Sequence, residues 1–139
     1  MGLLAEIYIA SDDQEALRYD VTPDVFRDRK QYKNFTVLEL STLWAIMQGT
    51  AWSVGVLNEF PTLLVVGGGE RLVHRLPQGM KEALARMQQE EVLACSVKWG
   101  ATAEMRRQPR DDQPIIEGLV QLCREAAANN KGVYLWNCV

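Results

Sequence analysis

Three consecutive glycines, Gly67, Gly68 and Gly69, stand between the apolar run Leu63, Leu64, Val65, Val66 and the alternating stretch of residues 71–76. No other feature restricts the fold of this chain so strongly. Glycine accepts positive φ at little steric cost, so the triplet joins two antiparallel strands with ease. A glycine-rich loop after a strand can also cradle phosphate, and that alternative has a test. A dinucleotide fingerprint needs a third glycine and a helix directly behind it. Here Leu72 stands at the third position. Arg71, Val73 and Arg75 alternate with Leu72, His74 and Leu76 in the period of a strand, and Pro77 closes the run. Without a following helix there are no aligned amides to hold an anion. No Gly-Lys-Ser/Thr occurs either. The sequence therefore predicts a hairpin and no nucleotide or other cofactor.

Around this hairpin the periodicity predicts further elements. Residues 3–10 are rich in strand formers, and residues 133–139 form a second β-rich run after Gly132. Ser11 with Gln14 reads as a capping box opening a short helix through about Tyr19, with Asp12 and Asp13 favouring its dipole. Residues 20–34, broken by Pro23, read as a loop with one helical turn. Thr36 and Glu39 form a second capping box, and Leu40, Leu43, Trp44 and Met47 line one helical face ending at Gly49. Residues 50–61 read as a connection lying against the body of the protein. Pro77 opens a helix to about Gln89 with Met80, Leu84 and Met87 as its stripe. Pro114 suits the first turn of a helix to Asn130. There Ile115, Leu119, Leu122 and Ala126 form one row, and Ile116, Val120, Cys123 and Ala127 the next.

Residues 90–106 support two readings. Cys95, Val97, Trp99, Ala101, Ala103 and Met105 alternate as in a strand. The same stretch is rich in Ala, Glu and Met, and Val92, Cys95, Trp99 and Ala103 also make a helical row. The balance tips to helix. Together the elements predict one α+β domain over residues 1–139: a small mixed or antiparallel sheet of about four strands, with four to five helices mainly on one face.

The totals narrow the function classes. The chain has 139 residues, 47% of them hydrophobic and 24% charged, with net charge −3. That is globular composition, and the acidic balance argues against a nucleic-acid binder while suiting a basic partner. No apolar run approaches the roughly 20 residues of a membrane span, and the first residues lack the basic start of a signal peptide. Cys95, Cys123 and Cys138 form neither C-x-x-C nor an even set, so no disulfide framework or zinc site is expected, and the cytoplasm is the expected compartment.

Two functional readings of different classes follow. The stretch of residues 26–35 interleaves Phe26, Tyr32 and Phe35 with Arg27, Arg29, Lys30 and Lys33. Aromatics beside arginines dominate many protein interfaces. Phe26, Arg27, Arg29, Lys30 and Tyr32, joined by Trp52 in its own connection, are thus the candidate residues of a non-catalytic protein-binding or regulatory module. Neutralising a toxin is one task within that class. The alternative is a small enzyme or small-molecule binder with a site between helices and sheet, drawing on Asp13, Glu39, Trp52, His74 or Arg75. Each has a plainer account: acids at a helix start, a capping glutamate, and a lone histidine half-buried among leucines. Edge strands could pair with a second copy, but nothing in the sequence requires it.

Overall fold

The computed structural model describes residues 3–102 and 109–139. Among these, five strands form one antiparallel sheet and six helices pack around it. The strands are β1 (Leu4–Ala10), β2 (Arg29–Lys33), β3 (Thr62–Val66), β4 (Arg71–Arg75) and β5 (Gly132–Cys138), in the order β2-β1-β5-β4-β3. The α+β class is as the sequence predicts, with one strand more than expected. The added strand is β2, placed by the sequence in a loop. Its residues RKQYK lack apolar alternation, and it holds its place by pairing with β1, Leu4 opposite Lys33 through Tyr8 opposite Arg29.

The triple glycine is a turn. Gly67, Gly68 and Gly69 all have positive φ (63°, 69° and 109°), and Arg71 resumes the ladder opposite Val66. Three successive residues in this region would strain any side chain with a Cβ.

The helices are α1 (Asp13–Leu17), α2 (Val37–Gln48), α3 (Val54–Leu57), α4 (Gln78–Ala85), α5 (Gln89–Gly100) and α6 (Pro109–Ala128). α2 is built as its sequence implies: Thr36 caps it, Glu39 returns the bond to the Thr36 N–H at 3.0 Å, and Gly49 ends it at φ 70°. α1 is capped one residue later than expected. The Asp12 carboxylate accepts from the Glu15 N–H at 2.8 Å, while the Ser11 N–H donates to the Glu15 side chain. Residues 50–61 contain a short helix, α3, which its four residues made too brief for periodicity to reveal. α6 begins before Pro114, which lies in its second turn rather than its first.

The ambiguous stretch is helical through Gly100, and the rest of it lies largely outside the described residues. The apparent alternation fails on burial. Trp99 is fully buried, yet Val97, two residues before it, is 54% exposed, while Val92, Ser96 and Trp99 are buried in helical spacing.

Strand alternation gives the sheet two faces. Ala5, Ile7 and Ile9 of β1 join Val133 and Leu135 of β5 in the larger core, with side chains from α2 to α6. Tyr8, Ala10 and Tyr134 turn the other way, into a smaller core shared with Ala16, Tyr19, Phe26 and Val73. Helices thus cover mainly one face, and residues 11–28 cover the other. α6 approaches β2 closely at Gly118. A Cβ there would overlap the Tyr32 hydroxyl and come within 2.9 Å of Lys30 Cδ. The absence of a side chain at this one helical position lets the edge strand lie against α6.

Candidate functional site

The polar chemistry of the molecule concentrates on the sheet face under residues 11–28. Alternation sets Glu6 and Tyr8 of β1, Arg29 and Gln31 of β2, Arg71 and Arg75 of β4, and Tyr134 and Trp136 of β5 on this face. The segment above supplies Asp13, Tyr19, Asp20 and Phe26. Tyr8 and Tyr19 stack with centroids 3.9 Å apart and planes 13° apart, and Phe26 meets both edge-on at 5.3 Å.

Three carboxylates tie the segment to the sheet. Asp13 accepts from the Tyr134 hydroxyl at 2.9 Å and pairs with Arg75. Asp20 Oδ1 accepts from Arg71 Nε at 2.8 Å and from the Trp136 indole at 2.9 Å. Glu6 accepts from the Tyr19 hydroxyl and from Gln31 Nε2, the latter at 2.9 Å. The bond from Arg71 holds the Asp20 carboxyl below its ordinary range, with the Trp136 indole adding to it. Burial pushes the Tyr8, Tyr19 and Tyr134 phenols well up, and the carboxylates on Tyr19 and Tyr134 reinforce this. These phenols therefore stay protonated as donors at neutral pH, which suits them to holding a structure and not to abstracting a proton.

A concavity lies beside this face, where β4 runs into α4 and meets the start of β5. It encloses about 540 Å³ and is lined by Glu59, Arg75, Gln78, Lys81 and Gly132 among others. Its charged groups already have partners. Lys81 is buried and donates to the Lys131 carbonyl at 2.8 Å, Glu59 accepts from the Trp44 indole at 3.1 Å, and Arg75 is paired with Asp13. The lining itself carries two cations, Arg75 and Lys81, and one anion, Glu59.

The residues singled out for small-molecule chemistry are dispersed. Asp13 and Arg75 meet, but Glu39 serves the α2 cap on the far side of the sheet. His74 points to the helix-covered face, opposite its neighbour Arg75. It is buried rather than half-buried, and desolvation lowers its pKa. Among the described residues no group of three or more His, Cys, Asp or Glu is placed to hold a metal ion. Trp52 is 39% exposed, with its indole N–H bound to Ser41 Oγ at 2.9 Å.

The residues singled out for partner binding divide differently. Phe26 is buried in the aromatic stack. Tyr32 is half-buried against α6, where desolvation pushes its phenol up to about 12. Lys30 lies beside it, and Arg29 reaches Tyr19 and Asp24. Arg27 alone of the set on this segment is exposed. Sequence reasoning passed over Val21 and Val25, which are 81% and 71% exposed in the same segment. It also passed over Asp20 and Tyr134, whose partners are distant in sequence.

Compared with known proteins, the chain matches no family model, no curated protein and no solved structure at a significant level.

Proposed function

We propose that this chain is a non-catalytic protein-binding module of regulatory type, which meets its partner through the outward side of residues 21–28. One observation carries the reading. Val21 and Val25 stand 81% and 71% exposed on a segment held against the sheet by Tyr19 and Asp20 just before it and by Phe26 within it. Single exposed valines are ordinary on a protein surface. Two of them four residues apart on one anchored segment, followed by exposed Arg27, offer apolar area and a guanidinium together. An anchored loop loses little entropy on docking, which raises the affinity its contacts give.

Further support is chemical. The three carboxylates of this face, Asp13, Asp20 and Glu6, already accept hydrogen bonds from neighbouring donors. A toxin is one class of partner this reading admits. The cytoplasm is the compartment we propose, since Cys95, Cys123 and Cys138 are all unpaired.

The test is capture from native lysate by the immobilised protein, read by mass spectrometry. A stoichiometric partner retained by the native chain is expected to be lost from the double variant Val25→Asp, Arg27→Ala, with circular dichroism unchanged. Retention of every captured protein by that variant overturns the reading.

A further inference from the structure

Lys81 of α4 is only 6% exposed. A lysine buried to that degree is ordinarily matched by a carboxylate. Among the described residues no carboxylate lies within ion-pair reach of it. Its hydrogen bond runs instead to a neutral acceptor, the Lys131 carbonyl at 2.8 Å. The nearby Cys123 thiol is pushed by desolvation up to about 12, so it stays neutral and brings no compensating charge. An ammonium has three donors, and the Lys131 carbonyl takes one of them.

Lys81 lines the cavity between β4, α4 and the start of β5, and further donors line it as well. Pro77 caps α4 without a side-chain acceptor, and the Lys81 N–H is bonded to the Pro77 carbonyl at 3.0 Å. The N–H groups of Gln78 and Gly79 ahead of it have no intrahelical acceptor, and both residues belong to the cavity lining at the positive end of the helix dipole. Arg75 adds a guanidinium from β4, with one nitrogen on Asp13. Glu59, the one anion of the lining, is exposed and engaged with the Trp44 indole. We propose that this cavity binds a small organic phosphate, with the phosphate group on Lys81 and the first amides of α4 and the organic body against Leu76 and Val133. The oxygens of a phosphate radiate, so they meet donors from several directions, and helix amides beside a cation suit them. The cavity of about 540 Å³ exceeds what the phosphate alone needs and lies within the ~300–1,000 Å³ of small-molecule sites. Val21, Val25 and Arg27 are not part of its lining, so this reading and the protein-binding one can fail separately.

Calorimetric titration of the full chain with inorganic phosphate, at an ionic strength held constant with chloride, reads the site directly. One saturable site is expected, with acetate binding at least ~10-fold more weakly than phosphate. Lys81→Met removes the buried charge and is expected to weaken phosphate at least ~10-fold, the worth of a charge-assisted bond. Gln78→Glu, on the exposed first residue of α4, sets a carboxylate at the cavity and is expected to weaken it ~5-fold, a result that stands even where the Lys81 variant does not fold. Amide resonances of the native chain give a measurement that needs no variant: Gln78, Gly79 and Lys81 shift as phosphate is added. Absence of saturable phosphate binding overturns the proposal, as does acetate binding equally well. So does binding that is indifferent to a folded Lys81→Met or Gln78→Glu, or shifts confined to surface cations such as Arg27, the mark of an adventitious ion only.

Discussion

The two faces of the sheet are covered by different chemistry. On the helix-covered face, Ile7, Leu40, Leu43, Leu84, Ile116, Leu119 and Leu135 are fully buried with Trp99 at one end, and the contacts are almost wholly apolar. On the opposite face, aromatic rings stack under a segment that is fastened by carboxylates, guanidinium groups and indole or phenol donors. Apolar packing is non-directional and tolerates small shifts. Carboxylate ties are directional and lose their value when one partner goes, most where the carboxylate left behind is buried, as Asp20 and Glu6 are. The first face should therefore fail by loss of volume, and the second by loss of geometry or by a change of pH.

The largest effect is expected from Trp99→Ala. It opens a cavity where the indole was fully buried and removes the bond from its N–H to the Glu39 carbonyl at 2.9 Å. A loss of about 4 kcal/mol in urea unfolding is expected. Tyr8→Phe breaks the other face more gently. It deletes the 2.6 Å bond to the Ala16 carbonyl while leaving the stack on Tyr19, at about 1 kcal/mol. Gly118→Ala tests whether helix propensity or strand contact governs α6. Propensity alone would stabilise by up to ~1 kcal/mol. Overlap with Tyr32 is expected to reverse the sign and bring the Tyr32 phenol down from about 12 toward its ordinary value, read by ultraviolet titration.

The pH dependence separates the faces further. Asp20 has a depressed folded pKa, so its contribution is present above the unfolded value of about 3.9 and is lost as pH falls through the folded one. Asp20→Asn should flatten stability in that acid window. His74 also has a depressed folded pKa, on the apolar face. The unfolded chain binds its proton first, so stability declines as pH drops below about 6.5, a smaller effect that His74→Leu should abolish. An unchanged acid profile in Asp20→Asn would mean that the ties on the second face contribute little.

The same contrast explains what could be read from the sequence. The apolar face was legible because its residues recur at helical spacing within one element: Thr36 with Glu39, then Leu40, Leu43 and Trp44, or Ile115, Leu119 and Leu122 in α6. The second face was not, because its partners are 121 residues apart for Asp13 and Tyr134 and 116 apart for Asp20 and Trp136. No local pattern carries such pairings. β2 was hidden for a related reason. Its five residues hold three cations, and only the neighbouring β1 makes them a strand. Arg75 and Asp13 were each singled out as site residues, yet nothing local revealed that they neutralise one another.

The middle strand of the sheet, β5, lies C-terminal to every other strand. During synthesis the β1–β2 and β3–β4 hairpins must leave the ribosome as two separate ribbons, each with a raw inner edge and no common neighbour. They join only when residues 132–138 emerge and insert between them. Long-range closure of this kind is slow and leaves nascent chains prone to clumping.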